Sequence, residues 1–457
     1  MFLVLTSLRG CRLSWSAVLF SLAMIASAGA KDRPNLLVIM ADDIGYENFG
    51  CYGSTVYETP NIDRLASQGI RFDHAHSQPI CTPSRIQIMT GIHNQRNYIR
   101  FGLLDPDAMT FAKVLRQAGY ATAIAGKWQL DGGIEAPRHF GFDRHCLWQL
   151  VRRPSRYPNP GLEIDGELKD FKNGEFGPDL VSDYLCEFFE SRRDSDQPFL
   201  AYYPMILPHW PFVPTPDHPD WDPAMWRDAT NEPGGYRDQK YWDGFVRYTD
   251  KMVGKLLDRL ATTGLIDNTL VIFTADNGTF VDIVSPFRGR DFRGGKGKTL
   301  DSGTHVPMIA SWPVKIRPGQ VSDQLVDFTD IFPTLLDVAG VTPPTQLADQ
   351  LDGTSLLPVF AGRAEERVKP VIYCWYERDG RRGMASQHVR DQRYKLYHGG
   401  GFFDTQDDPD ETRDLRATSL APELSETLAR LEQELAIRVE QTRRYDPIQR
   451  AKRQATN

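Results

Sequence analysis

Asp42 and Asp43 stand side by side directly after the apolar run Asn35-Leu-Leu-Val-Ile-Met40. Adjacent carboxylates repel each other, and a chain that sets them at a strand's carboxyl end usually needs a counter-cation there. Oxygen donors alone select a hard ion, Ca²⁺ or Mg²⁺, over Zn²⁺. Asp276-Asn277-Gly278 follows a second apolar run, Thr269-Leu-Val-Ile-Phe-Thr274, and it too offers only oxygen. Cys81 opens Cys-Thr-Pro-Ser-Arg85. Pro83 is tolerated in a first helical turn, and Ile86 and Met89 recur at helical spacing. A Cys at such a start meets unpaired backbone N–H groups and the positive end of the helix dipole, which suits an anion held against it. His209 lies in Pro208-His209-Trp210-Pro211, a loop braced by prolines. Taken singly, these groups also read as a solvated acidic pair, a buried thiol and a structural histidine.

The elements that must position them follow from periodicity. Residues 35–40 and 269–274 are continuous apolar runs of strand length, the pattern of buried parallel strands. Open α/β sheets bind ligands at the carboxyl ends of such strands, which is where both acidic stretches fall. Residues 120–125 form a further strand that delivers Gly126-Lys127-Trp128-Gln129, and 198–203 another. Helices are expected over 108–118, ending at Gly119, over 181–190, and over 243–262, ending near Gly264. Residues 131–180 are rich in Gly, Pro, Arg and aromatics, including Trp148, Arg152, Arg153, Arg156 and Tyr157, and read as loops. Arg293 to Thr299 reads as a flexible basic loop containing Lys296 and Lys298. A charged boundary lies near 365. Strands from 371, at 393–397 and at 402–404 then begin a smaller unit, which a polar helix and a frayed end complete.

The chain has 457 residues, enough for one large domain and a smaller one, with 41% hydrophobic and 25% charged residues. A net charge of −7 gives no reason to expect nucleic-acid binding. Residues 1–30 read as a secretory signal: Arg9 and Arg12, then the apolar run Trp15 to Ile25, then Ala28-Gly29-Ala30. No later stretch is long and apolar enough for a span. A protein without a stable membrane anchor, exported to the periplasm or beyond, is expected. Cys51, Cys146, Cys186 and Cys374 show no short-spaced pairing and are expected as free thiols.

Cys81-Thr-Pro-Ser-Arg85 followed by Thr90-Gly91 resembles the modification motif of the type I sulfatase family. Other stretches match that family in order: Ala41-Asp-Asp43, Thr59-Pro-Asn-Ile-Asp-Arg-Leu-Ala66, Gly126-Lys-Trp128, Pro208-His-Trp-Pro-Phe212, Asp276-Asn-Gly278 and Gly295-Lys-Gly297. The resemblance covers nearly the whole mature chain. It implies an alkaline-phosphatase-like α/β fold. Residues 31–365 would be the catalytic domain, built on a mixed, mostly parallel sheet flanked by helices. Residues 366–457 would be a small domain with an antiparallel sheet.

By that resemblance Cys81 is oxidised by a formylglycine-generating maturation enzyme, and its aldehyde hydrate is the nucleophile. Asp42, Asp43, Asp276, Asn277 and the modified Cys81 would hold Ca²⁺ or Mg²⁺. Arg85, Lys127 and Lys296 would neutralise the sulfate, and His209 would protonate the departing oxygen. The implied activity is hydrolysis of a sulfate ester, on a sulfated carbohydrate or an aryl sulfate, which the basic and aromatic residues of 131–180 suit. Two departures stand out. Gln129 takes the place of a family His, so the proton that His would accept must go to a site carboxylate, water or a histidine such as His93 or His305. Asp301-Ser-Gly-Thr-His305 replaces an acid–Gly–Gly–x–Arg run. A phosphate or phosphonate monoester hydrolase on the same scaffold, and a non-catalytic binder of sulfated glycans, are the alternatives.

Overall fold

The computed structural model describes residues 33–224 and 239–444, so the expected signal segment 1–30 lies outside the described residues. The apolar runs become the centre of one large sheet. Its strands, in chain order, are β1 (Asn35–Ala41), β2 (Ile70–His76), β3 (Ala121–Lys127), β4 (Arg144–Trp148), β5 (Gly161–Ile164), β6 (Glu167–Asp170), β7 (Phe199–Pro204) and β8 (Thr269–Ala275). A two-stranded ribbon, β9 (Val284–Phe287) and β10 (Arg290–Arg293), interrupts the series before β11 (Met308–Ser311) and β12 (Gln320–Asp327). The ten sheet strands lie in the order β12-β2-β11-β8-β1-β7-β3-β4-β5-β6.

β1 runs between β7 and β8, parallel to both, and every residue of β8 is buried. Each fully buried Leu, Ile, Val or Phe along these strands contributes roughly 1.5–3 kcal/mol. The register matters for function. Ala41 lies opposite Ala275, so the residues after each strand, Asp42 and Asp276, emerge side by side. β3 pairs in parallel with β7 and β4, which brings Lys127 to the same edge. Helices flank the sheet in two groups. Trp242–Thr262 packs on Gly177–Glu190 and Pro60–Ser67, and Cys81–Thr90 packs on Phe111–Gln117 and Ile331–Val338.

Three expectations need correction. The helix expected at 108–118 spans Phe111–Gln117, because Thr110 caps it by accepting from the Lys113 N–H at 3.1 Å. The helix expected from 181 begins at Gly177, with Pro178 in its first turn. Residues 131–180 are not simply loops. β4 continues the parallel sheet, and β5 and β6 close its edge in antiparallel pairing.

A second sheet of four antiparallel strands follows: β13 (Ile372–Tyr376), β14 (Ser386–Arg390), β15 (Tyr394–Tyr397) and β16 (Phe402–Asp404), with the helix Pro422–Arg444 after it. It braces the segment downstream of Lys296. Lys395 Nζ donates to the Thr299 carbonyl, Arg390 pairs with Asp301, and Cys374 Sγ lies 3.3 Å from Gln78 Oε1. Cys51, Cys81, Cys146, Cys186 and Cys374 are free thiols. No helix among the described residues is long and apolar enough to cross a membrane.

Candidate active site

Asp42, Asp43, Asp276 and Asn277 are fully buried where β1 and β8 end. In an extended strand successive side chains point to opposite faces. Asp43 breaks that alternation with a φ of 71°, so two consecutive acids can serve one pocket. Its N–H donates to Asp276 Oδ1 at 3.0 Å, and Asn277 Nδ2 donates to Asp43 Oδ1 at 3.0 Å and to the Gly278 carbonyl at 2.9 Å. His209 Nε2 stands 3.5 Å from Asp43 Oδ2, and its Nδ1 is 2.6 Å from the Trp210 carbonyl.

Four cations converge on these acids. Cys81 is the first residue of the buried helix Cys81–Thr90, and Arg85 lies one turn on, along the same face. Arg85 Nη2 is 3.1 Å from Asp276 Oδ2 and 3.6 Å from Asp42 Oδ1, and Nη1 donates to the Lys127 carbonyl at 3.0 Å. Lys127 Nζ donates to both Asp42 oxygens, at 2.8 and 2.9 Å. Lys296 Nζ pairs with Asp43 Oδ2, and Arg156 Nη1 is 3.6 Å from Asp42 Oδ2. Four cations against three carboxylates leave an excess of positive charge even before a metal ion is counted, which favours an anion.

The electrostatics follow. Burial works against the Asp42 charge, but Lys127, Arg85 and Arg156 outweigh it and hold the carboxyl well below its usual range. Asp276 goes the other way: burial, then the charge of Asp42, push it up. Burial disfavours the Lys296 ammonium, yet Asp43, Cys81 and Asp42 raise its pKa. His209 is pushed well below the ordinary imidazole range by burial and by Lys296, Arg156 and Lys127, so it is neutral in the free protein. With Nδ1–H on the Trp210 carbonyl, the neutral ring presents an unprotonated Nε2 toward the acids.

The donor set fits a hard cation. Asn277 Oδ1 is buried and has no hydrogen-bond partner among the described residues, an orphan oxygen at the meeting point of three carboxylates. Asp42, Asp43 and His209 carry ligand atoms within 4.8 Å of one another. The oxygen-rich surroundings favour Ca²⁺ or Mg²⁺.

Asp42, Asp43, Asp276 and Asn277, together with Arg85, Lys127, His209 and Lys296, thus meet at one sheet edge. Cys81 heads the adjoining helix at 2% exposure, one turn before Arg85. The basic loop is anchored: Lys296 N–H donates to the Thr279 carbonyl at 3.1 Å and Gly297 N–H to the Pro79 carbonyl at 2.7 Å. Lys298 is exposed, which leaves Lys296 as the site lysine. His93 and His305 are claimed elsewhere. His93 sits between Asp352 (3.4 Å) and Asp327 (3.7 Å), and His305 stacks on Tyr46 and contacts the Asp73 carbonyl at 2.9 Å. Burial pushes His305 down to about 3. Neither pairs with a site carboxylate.

Gln129 is half-buried with a φ of 57°, and its Oε1 has no partner among the described residues. The sequence reading missed Glu47. Its Oε1 accepts from Thr279 Oγ1 and Asn48 Nδ2 just beneath the acidic cluster, and its only signal was proximity to Asp42-Asp43.

The Sulfatase family model matches residues 34–341, and the model for the C-terminal region of N-sulphoglucosamine sulphohydrolase matches 296–441. N-acetylgalactosamine-6-sulfatase of Homo sapiens is 32% identical over 387 residues, covering 76% of this chain and 70% of that protein. Arylsulfatase A of Bos taurus is 31% identical over 426 residues, covering 85% and 80%. The solved structure of BT4656 in complex with its substrate D-glucosamine-2-N,6-O-disulfate aligns with a TM-score of 0.74 at 25% identity, over 91% of this chain and 99% of that one. With a match running unbroken from β1 to the helix Ile331–Val338, the chain belongs to the sulfatase family and is a sulfuric ester hydrolase.

Proposed function

We propose that this enzyme removes sulfate from a sulfated carbohydrate, using Cys81 oxidised to formylglycine and a Ca²⁺ or Mg²⁺ ion held by Asp42, Asp43, Asp276, Asn277 and the modified residue. Relatives named for N-acetylgalactosamine and for bound glucosamine disulfate support the substrate class. The observation that carries the reading is the convergence of Cys81's helix, three buried carboxylates and four cations at one sheet edge. The modified Cys81 would supply a hydrate, one hydroxyl of which attacks sulfur and the other of which later expels the sulfate. The metal would add positive charge beside the reacting oxygens.

The remaining work falls to this chain's own groups. Arg85 holds Asp276 and Asp42 in place, and Lys127 and Lys296 face the charge that grows on the sulfate oxygens. His209 is neutral without substrate. A bound sulfate anion raises its proton affinity, and the protonated Nε2 can then pass a proton to the departing alcohol oxygen. Gln129 can hydrogen-bond the sulfate or the hydrate but cannot titrate. We take the chain to be exported after loss of residues 1–30, to need a maturation enzyme, and to divide into catalytic and small domains near 365.

The test combines peptide mass spectrometry at residue 81 with a panel of defined sulfated sugars. An aldehyde-reactive residue at 81, with turnover lost in Cys81→Ala and nearly lost in Cys81→Ser, is expected. An unmodified thiol in fully active protein refutes it.

A further inference from the structure

Of the basic residues at 152, 153 and 156, one is buried within the site. Arg152 pairs with Asp170 at 2.5 Å on the surface, and Arg153 is exposed, though close enough to feel the charges of Arg156 and Asp42. Arg156 is 2% exposed, with its guanidinium 3.8 Å from the centre of the Trp148 ring. Trp148 ends β4, the strand beside the one that delivers Lys127. The next residue anchors the segment: Tyr157 O–H is shared between the Ile206 carbonyl, at 2.8 Å, and the His209 carbonyl. Arg156 is therefore held on an aromatic face, in a segment tied to the one that carries His209.

Two of its donors are unused. Nε and Nη1 are buried and have no hydrogen-bond partner among the described residues. The nearest acid, Asp42, is 3.6 Å from Nη1, beyond hydrogen-bond range. Leaving a buried donor unsatisfied costs about 1–3 kcal/mol, more when the group is charged. Such a cost is sustained where a ligand completes the site. Lys127 donates to both Asp42 oxygens, whereas Arg156 only faces that carboxylate at 3.6 Å. A hard cation held by Asp42 would compete with both for its charge and leave them to an anion beside it. At Gln129 an amide offers no charge to that anion, while Arg156 offers a guanidinium, which stays charged across the working pH range.

We propose that Arg156 is a further substrate-contacting cation, donating through Nε and Nη1 to the same sulfate group that Lys127 and Lys296 face. The proposal rests on the assignment of this sheet edge as the sulfate site.

The test is calorimetric titration of inorganic sulfate into the metal-loaded Cys81→Ala chain. The same background is compared with Arg156→Met, Arg156→Lys and Lys127→Met added, and Ca²⁺ affinity and melting temperature are measured for each. Arg156→Met is expected to weaken sulfate at least tenfold without weakening Ca²⁺. Arg156→Lys, which keeps the charge if the methionine variant fails to fold, is expected to recover part of that loss. Unchanged sulfate affinity in both Arg156 variants, with a loss in Lys127→Met, overturns the proposal and leaves the site standing. Tighter Ca²⁺ binding with unchanged sulfate affinity also overturns it, since Arg156 would then serve only as a counter-charge to Asp42. Unchanged sulfate affinity in all three variants overturns the assignment of the sulfate site itself.

Discussion

Asp42→Asn keeps the volume of the side chain and removes its charge. In the wild type that charge faces Lys127 Nζ at 2.8 and 2.9 Å, Arg85 at 3.6 Å and Arg156 at 3.6 Å, all of them buried. Without it, those three cations retain Asp276 as their nearest acid partner only through Arg85. Breaking a buried ion pair by removing one partner costs about 3–5 kcal/mol. At about 2.1 cal/mol/K per residue over roughly 400 ordered residues, the unfolding entropy is about 0.85 kcal/mol/K. The metal-free variant should therefore melt ~4–6 °C below the wild type. Calcium adds a second arm. At a hundred times its dissociation constant, calcium bound at the proposed site should stabilise the wild type by about 2.7 kcal/mol, a further rise of ~3 °C, which the variant should lack. Differential scanning calorimetry of chelated and calcium-loaded protein reads both arms. A chelated Asp42→Asn protein that melts with or above the wild type refutes the electrostatic account, and a variant that keeps the calcium shift refutes the ligand assignment.

His209→Ala should cost about a hundredfold to ten-thousandfold in turnover on an alkyl sulfate and far less on an activated aryl sulfate, whose leaving group needs no proton; equal losses on both would show that the ring only positions the substrate. Gln129→Ala should lower turnover, and Gln129→His should not simply raise it, because a ring must displace neighbours arranged around an amide; unchanged kinetics for Gln129→Ala would make the position a bystander. Glu47 supplies a pH test. Burial, against hydrogen bonds from Thr279 and Asn48, pushes its carboxyl up to about 7 from 4.5, so it is protonated in the fold where the unfolded chain is already ionised. That contribution to stability is complete below 4.5 and is lost as pH rises through 7. Glu47→Gln cannot titrate, so it should gain ~3 kcal/mol on the wild type between about pH 4 and pH 8 in denaturant titrations; a gap that stays constant across that range would refute the buried carboxyl.

Much of the site was legible because backbone chemistry places it. Leu36–Ala41 and Leu270–Phe273 are unbroken apolar runs of strand length, the pattern of interior parallel strands, and residues just past such strands share one edge. The helix at Cys81 was marked by Pro83 at its start, and Gly91, with a φ of 68°, ends it. β4, β5 and β6 were not legible. Strands of four or five residues set among Gly, Pro and Arg carry too few apolar positions to show a period, and two of them pair only as an antiparallel edge.

Charge partnerships were harder still, because burial decides them and burial is a property of the whole fold. His93 and His305 were nominated as bases on residue type alone. The fold gives one to Asp352 and Asp327 and stacks the other on Tyr46, where its proton affinity falls. Arg156 shows the converse. In sequence it is one of three arginines in a polar stretch, with nothing to separate it from Arg152. What separates them is that Trp148 and Tyr157 bury one side chain beside Asp42, while the other finds Asp170 in solvent. An arginine in water keeps its donors satisfied whatever its neighbours do. One taken out of water must find acceptors in the fold or in a ligand, and for Nε and Nη1 of Arg156 the fold supplies none among the described residues.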